Sequence, residues 1–348
     1  MASSVIDLNY TPNILVDTEN LTEEEWLSYR RKGIGGSDVA AIMGQSPFCT
    51  KRDLYYDKIG VKPVISEEEN WVAKEVGHRL EELVALIFSK KTGLTVFPIR
   101  KMFQHPKYPF MLADVDFFVQ MPDGTLAILE CKTSNYNCQD KWANDSVPVN
   151  YEYQGRHYMA TRNLNIVFFA CLFGNNEDEF IWRKMERDLD IEADMIAEEE
   201  NFWMENVMKQ QAPAYTEKSD LVLESIRKYA GPADPLAATV NISGTSIIHL
   251  DKYLEIKERK AALDAESRRL EEVMRKEYAV VVEQLGSSCK GFIKDGVNEY
   301  QVTYNPVYRA MIDKSMLERL KLMHPDIYDE YVSMIESRRF AVKKKVIA

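Results

Sequence analysis

Residues 114–132 read DVDFFVQMPDGTLAILECK. Two apolar runs flank MPDG, a Pro/Asp/Gly turn signal, so residues 111–133 read as an antiparallel hairpin. Acids and a Glu-x-Lys triplet stand inside these runs, where a core ordinarily rejects them. Side chains alternate faces along a strand, so Asp114 and Asp116 share one face while Ala113, Val115, Phe117 and Val119 share the other. On the returning strand Glu130 and Lys132 share a face with Leu126 and Ile128, and Cys131 points the opposite way. Pairing the strands brings Asp116, Glu130 and Lys132 together at one edge of a sheet.

Burying two carboxylates side by side costs several kcal/mol for each unpaired charge unless a cation neutralises them. Oxygen ligands without His or Cys favour Mg²⁺ or Mn²⁺ over Zn²⁺. Such a metal orients and acidifies water and stabilises charge on a phosphoryl group under attack, with the lysine beside it. The plain alternative is a surface ion pair on an edge strand. Glu-x-Lys alone is weak, since Glu255/Lys257 and Glu258/Lys260 repeat it in a charged helical stretch. The strand context, the apolar LAIL before Glu130 and the second acid one turn away set the Glu130 copy apart.

The chain has 348 residues, 45% of them hydrophobic, enough for a sizeable core and for one large domain plus an appendage, or two domains. No stretch approaches the roughly 20 apolar residues of a membrane span, and the start lacks a secretory pattern, so a cytosolic location is expected. The five cysteines form no Cys-x-x-Cys pair, which argues for reduced thiols rather than a disulfide scaffold or structural zinc. The net charge is −11, but residues 177–205 carry twelve acidic and three basic residues, leaving only −2 for the rest. Net charge therefore does not exclude DNA, for which a local basic surface is what matters. The acidic block reads as the solvated face of a helix whose apolar side is Ile191, Met195, Ile196 and Phe202.

Around this centre, TEEE at 22–25 is a capping signal for a first helix that runs into RRKGIGGSDVAAIMG, whose glycines open a second helix. Residues 75–93 give the cleanest helical period, with Val76, Leu80, Leu83, Val84, Ile87 and Phe88 on one stripe. Glu81 falls at its border and Glu82 points away. IVFFACLF at 166–173 is a buried strand. Residues 1–215 are read as the core domain, 216–245 as linker and turns, and 246–348 as a helical C-terminal region with a small hairpin around KDG at 294–296. Within it Ile256, Leu263 and Leu270 recur every seven residues, a coiled-coil-like seam. Ser315 to Glu318 reads as a capping box, and the chain closes on the basic tail RRFAVKKK.

The blocks RRKGIGGSDVAAIMGQSPF, GHRLEELVALIF, LADVDFFV, ILECKTS and VPVNYEYQGRHYMA, in that order, resemble the YqaJ-type viral recombinase family of the PD-(D/E)xK nuclease superfamily, of which lambda exonuclease is a relative. The resemblance covers about residues 25–175. It implies an α/β fold with a central mixed sheet flanked by helices, the restriction-endonuclease-like core, plus a mainly helical appendage. It also implies an Mg²⁺-dependent exonuclease, with Mn²⁺ as a substitute, that resects linear double-stranded DNA from the 5′ end and leaves a 3′ strand for a RecT-like or Redβ-like annealing protein. By block, Glu81, Asp116 and Glu130 hold metal with the Cys131 backbone carbonyl, Lys132 activates or positions water, and Gln154 lies beside the cluster. Arg30 and Ser37 bind the 5′ phosphate, with Arg31 an alternative to Arg30. A glycine-exposed helix N-terminus and an arginine suit an anion on physical grounds as well. Relatives form ring-shaped trimers, so a homo-oligomer encoded by a phage or prophage and acting in the bacterial cytoplasm is expected.

Val115 stands where the family has Pro, Asp114 is an extra acid, and Arg156 follows Gln154 by two residues, where it could meet a phosphate. His78 and His157 read as packing or surface residues, His78 pointing away from the Glu81 face. Tyr151, Tyr153 and Tyr158 read as core residues before base-stacking ones. Two other functions compete. A Cas4-like or RecB-like nuclease shares the core but often carries four cluster cysteines, whereas only Cys289 lies in the C-terminal half. A non-catalytic DNA-end-binding scaffold has no reason to keep mutually repelling buried acids.

Overall fold

The apolar runs around the PDG turn resolve into three strands rather than two. The computed structural model describes residues 8–65, 71–174, 176–333, 340 and 342. In chain order the first unit, which extends to Pro235, contains β1 (Asn13–Asp17), α1 (Glu23–Arg30), β2 (Ile34–Gly35), α2 (Gly36–Ile42), α3 (Lys51–Lys58), α4 (Trp71–Thr92), β3 (Thr95–Phe97), β4 (Lys101–Gln104) and β5 (Met111–Ala113). It continues with β6 (Phe117–Gln120), β7 (Leu126–Ser134), α5 (Val149–Arg162), β8 (Ile166–Phe173), β9 (Phe180–Glu186), α6 (Leu189–Asn201) and α7 (Ser219–Ala230).

The antiparallel hairpin is β6–β7, with Phe117 opposite Leu129 and Gln120 opposite Leu126. β5 belongs to a different sheet, ordered β1-β4-β5-β2, while β6 and β7 lie in a five-stranded sheet ordered β3-β6-β7-β8-β9. Asp114, Val115 and Asp116 are the link between the two sheets, so the expected strand alternation of Asp114 and Asp116 does not apply. β7 and β8 run parallel, and the other pairs of the larger sheet are antiparallel. This is a mixed α/β architecture with sheets flanked by helices.

Period-two patterning sorts the large sheet into two faces. Leu129, Cys131, Phe168 and Ala170 meet Val84, Ala85 and Phe88 of α4. Ile128, Val167, Phe169 and Cys171 meet Tyr158 and Met159 of α5. A third cluster packs Ile34, Val39 and Ile42 on Met195, Ile196 and Phe202. The α4 stripe is narrower than its sequence period suggests: Val84 and Phe88 are buried, whereas Val76 and Leu83 are exposed.

Two expectations about polar segments change. Ser219–Ala230, in the stretch read as linker, is helical, and Ser225 is buried where its Oγ donates to Asp53 Oδ1 at 2.8 Å. The acidic block is not purely solvated, because Glu192 and Glu199 are buried. Arg187 holds Glu192 at 2.6 Å, and His157 Nδ1 lies 2.9 Å from Glu199 Oε1. His157 Nε2 meets the Leu112 carbonyl at 2.9 Å, so this ring ties α5, α6 and β5 together.

The second unit, from Leu236, has α8 (Ser246–Leu285), the antiparallel hairpin β10 (Lys290–Lys294) and β11 (Glu299–Thr303), α9 (Lys314–Met323) and α10 (Pro325–Tyr331). α9 is capped by Asp313, whose side chain accepts from Met316 N, rather than by Ser315. Asp313 wins because its carboxylate is one residue before the first helical turn, where an Ncap acceptor belongs. Of the basic tail only Phe340 and Val342 are described. No helix among the described residues is long and apolar enough to cross a membrane.

α5 approaches the sheet closely at Gly155, where an added Cβ would lie 2.5 Å from Phe169 Cζ and 3.0 Å from Val167 Cγ1. Helix propensity favours Ala over Gly by about 1 kcal/mol, but overpacking a core costs roughly 1–3 kcal/mol. Gly155→Ala is therefore expected to lower the urea midpoint; an unchanged or raised midpoint would show that the contact relaxes freely.

Candidate active site

Glu130 lies in the interior of β7 with no solvent exposure, on the face that α5 covers. Its Oε2 accepts from Lys132 Nζ at 2.9 Å and from Gln154 Nε2 at 2.7 Å. Its Oε1 is buried with no hydrogen-bond partner. Lys132 reaches Glu130 because residues two apart on a strand share a face. Gln154 reaches it because α5 crosses that face. Asp116, immediately before β6, turns its Oδ2 onto the Cys131 backbone N–H at 2.9 Å, just past the last ladder pair Phe117–Leu129.

The electrostatics follow from this crowding. Burial raises the Glu130 pKa and Asp116 raises it further, while Lys132 offsets part of the rise. Burial alone would lower the Lys132 pKa, but Glu130 and Asp116 outweigh it and keep the ammonium charged. Lys132 also sits 5.1 Å from the Tyr151 ring centroid. Glu81, on α4, is half-buried and its pKa is raised by burial and then by the Asp116 charge. His78 stands against expectation 3.6 Å from Glu81 Oε1, because three residues along a helix return to the same side.

Among the described residues no three His, Cys, Asp or Glu side chains form a ready-made metal cage. A hard divalent cation nevertheless fits the residues present. One buried carboxylate oxygen has no partner, the Asp116 charge raises the pKa of both Glu81 and Glu130, and every donor is oxygen. Glu130, Asp116, Glu81 and the Cys131 carbonyl are the groups that could hold it.

A second constellation adjoins the first. Arg30 Nη2 contacts Ser37 Oγ and lies 2.8 Å from Asp38 Oδ1, while Arg31 turns away to Asp57 at 3.2 Å. Asp38 is buried and its Oδ2 accepts from Lys58 Nζ at 2.7 Å and from the Gly35 N–H at 2.9 Å. The amide expected to greet an anion is thus already occupied by Asp38. The reachable groups are Ser37, which is exposed, and the partly exposed Arg30. Arg30, Arg31 and Lys58 are set against Asp38 and Asp57, leaving a net positive charge.

The two constellations are joined by residues that had no assigned part in the site on sequence grounds. Tyr158 is buried against Gly36, where a Cβ would lie 2.6 Å from its ring. It stands near enough to Gln154, Glu130 and Arg30 for all three to act on its hydroxyl, whose pKa burial raises well above normal. Trp26 Nε1 donates to Asp114 Oδ2 at 2.6 Å, and the Arg30 guanidinium lies 5.2 Å from the Trp26 ring centroid. Asp114, the unplaced acid, therefore anchors α1 to the inter-sheet link. The spacing of Tyr158 four residues after Gln154 was a readable signal for one helix face. Nothing in the local sequence signals the Trp26–Asp114 contact. Arg156 pairs with Glu152 at 2.7 Å rather than standing ready for a phosphate.

Residues 25–165 match the YqaJ-like viral recombinase domain. The protein YqaJ of Bacillus subtilis (strain 168) is 32% identical over 335 residues, which is 95% of this chain and 97% of that one. The chain belongs to the YqaJ-like viral recombinase family. All the residues assembled above, from Trp26 to Tyr158, fall inside the matched span. Among solved structures, an alkaline exonuclease (LHK-Exo) from Laribacter hongkongensis is 19% identical with a TM-score of 0.45, covering 54% of this chain and 94% of that chain. A phage-related exonuclease from Haemophilus somnus 129PT is 13% identical with a TM-score of 0.36, covering 51% and 96%. Likenesses this distant say nothing about chemistry, which has to come from the site itself.

Asp38 supplies a pH signature. Burial pushes its pKa up, but Arg30 and Lys58 outweigh burial and hold it well below the usual carboxylate range. A carboxylate depressed in the folded state stabilises above its unfolded pKa of about 3.9 and loses that contribution as pH falls. Asp38→Asn is expected to cost about 3–5 kcal/mol at pH 7, as breaking buried ion pairs does. The gap to wild type should narrow in melts below pH 4; a gap independent of pH would mean the ion pairs contribute nothing.

Proposed function

We propose that the chain is a metal-dependent deoxyribonuclease that resects one strand of linear double-stranded DNA from its 5′ end, leaving a 3′ single strand for an annealing protein of the RecT or Redβ kind. The observation that carries this reading is the Glu130 carboxylate, buried with one oxygen held by Lys132 and Gln154 and the other without a partner, beside Asp116. A surface ion pair would leave both oxygens in water, and a stability role would favour an apolar side chain in this strand.

Mg²⁺, or Mn²⁺ in its place, would be held by Asp116, Glu130, Glu81 and the Cys131 carbonyl, and when bound it supplies Lewis-acid stabilisation of the attacked phosphate and acidifies water. The chain's own groups do the rest. Lys132 Nζ, held charged by Glu130 and Asp116, positions water and offsets charge on the phosphoryl oxygens rather than taking a proton at neutral pH. Gln154 Nε2 fixes Glu130 Oε2, so the carboxylate presents its other oxygen. Arg30 and Ser37 receive the 5′-terminal phosphate, supported by the net positive charge that Arg30, Arg31 and Lys58 leave against Asp38 and Asp57.

Duplex DNA labelled at either end, incubated over a Mg²⁺ or Mn²⁺ titration, tests metal, reaction and polarity at once. Loss of the 5′ label first, only with metal, is expected, and Lys132→Ala should reduce the rate at least about a hundredfold, the scale of losing one electrostatic stabiliser. Degradation by Lys132→Ala at the wild-type rate would refute the assigned chemistry; end binding without cleavage would favour a scaffold.

The phosphate site has its own test. Ser37→Ala leaves the Arg30–Asp38 pair in place and removes one hydrogen bond to a charged group, worth roughly 1.5–3 kcal/mol. The preference for 5′-phosphate over 5′-hydroxyl ends is expected to fall at least about tenfold. An unchanged preference, or initial attack from 3′ ends, would remove Ser37 from the pocket.

A further inference from the structure

α8 is a helix of 40 residues in which none is buried. Its apolar residues are nonetheless regularly placed. Ile256, Leu263 and Leu270 recur every seven residues and stand 57%, 63% and 55% exposed. Tyr253, Lys260, Ser267 and Met274 recur with the same period three positions earlier, completing the two-position seam of a coiled coil. Most helical stability in proteins comes from packing an apolar face, and a seam sustained over three to four heptads is what a second helix covers.

The charges beside the seam say which helix. Lys257 and Asp264 flank one side, seven residues apart, and Arg259 and Glu266 flank the other at the same spacing. Seven residues is two turns, about 10.5 Å at 1.5 Å per residue, too far for a pair within one helix. None of the four has an ion-pair partner among the described residues, whereas Glu271–Arg275 and Glu272–Lys276 pair at i, i+4 in the same helix.

We propose that α8 pairs antiparallel with α8 of a second copy of this chain, about a two-fold axis between Ala261 and Ala262. In that register Lys257 meets Asp264 of the second copy and Arg259 meets Glu266 of the second copy. Symmetry makes four opposite-charge contacts and no like-charge one along the flanks. The layers are Leu263 with Lys260, Ile256 with Ser267, and Leu270 with Tyr253, whose ring also meets Phe340 at 4.9 Å. In these three central layers each polar or aromatic seam residue faces an aliphatic one, and the Lys260 stem covers Leu263 while its ammonium reaches water. The overlap from Ser246 to Glu277 spans about 48 Å. A parallel pair fares worse: it stacks Lys260 on Lys260 and opposes Lys252 to Lys257 and Glu266 to Glu271, leaving only Arg259 and Asp264 favourable. An isologous antiparallel contact is also the form that closes on itself.

The pairing is independent of the nuclease reading and is tested by mass rather than by activity. Light scattering on the full chain is expected to show an even number of copies; if the first units also close into a three-membered ring, the number is six. Lys257→Glu with Arg259→Glu makes all four flank contacts repulsive and is expected to raise the dissociation concentration at least about tenfold. Adding Asp264→Lys with Glu266→Lys restores opposite charges throughout and should return the wild-type mass. All these positions are exposed, and circular dichroism confirms that each variant keeps its helix content. A wild-type monomer or odd-numbered oligomer overturns the proposal, as does a mass unaffected by the reversal, or a swap that fails to restore what the reversal lost.

Discussion

Glu130 sits without solvent exposure in the strand shared by an antiparallel hairpin and a parallel pair, and its surroundings are arranged around that charge. An isolated buried carboxylate costs several kcal/mol, far more than a typical hydrogen bond returns. Lys132 and Gln154 both reach the same oxygen, Asp116 takes the neighbouring amide, and Tyr151 closes over the lysine. α5 must therefore cross the sheet at a height that puts Gln154 over β7. The close approach at Gly155 and the His157 link to Leu112 and Glu199 hold it there.

The chain's passage from one sheet to the other has the same logic. A continuous strand from Met111 to Gln120 would place Asp114 and Asp116 on one face, side by side. Breaking it at residues 114–116 separates their tasks. Asp116 joins the Glu130 cluster through the Cys131 amide, and Asp114 takes the Trp26 indole N–H and so seats α1, which carries Arg30. Tyr158 completes the connection from the other side, between Gly36 and Gln154. The spacing between the carboxylate cluster and the Arg30–Ser37 pair is thus set by three side chains rather than by one continuous element.

The second unit is built on a different principle. The first has three apolar clusters and buried ion pairs, whereas α8 has a regular apolar seam and no buried residue. A long helix of that kind acquires its stability from what lies along the seam. Its charge pattern is as regular as its apolar one, and of the two ways to pair it with a copy of itself the antiparallel one uses both.

Local rules were enough to read much of this from the amino acids alone. The unbroken apolar run IVFFACLF, the Thr22 cap, the PDG turn and the heptads of α8 are consequences of backbone geometry acting over a few residues. The Glu130–Lys132 pair was legible for the same reason, since its members are two apart on one strand, and family resemblance supplied Gln154 and Arg30. What the sequence could not decide is which distant group neutralises each buried charge. Trp26 meets Asp114 across 88 positions, His157 meets Glu199 across 42 and Lys58 meets Asp38 across 20. An acidic run such as DIEADMIAEEE looks solvated from its composition, yet Glu192 and Glu199 lie on the face that α6 turns inward. Burial of a charge depends on the packing of several elements at once, so spacing names the candidates and tertiary structure alone chooses their partners.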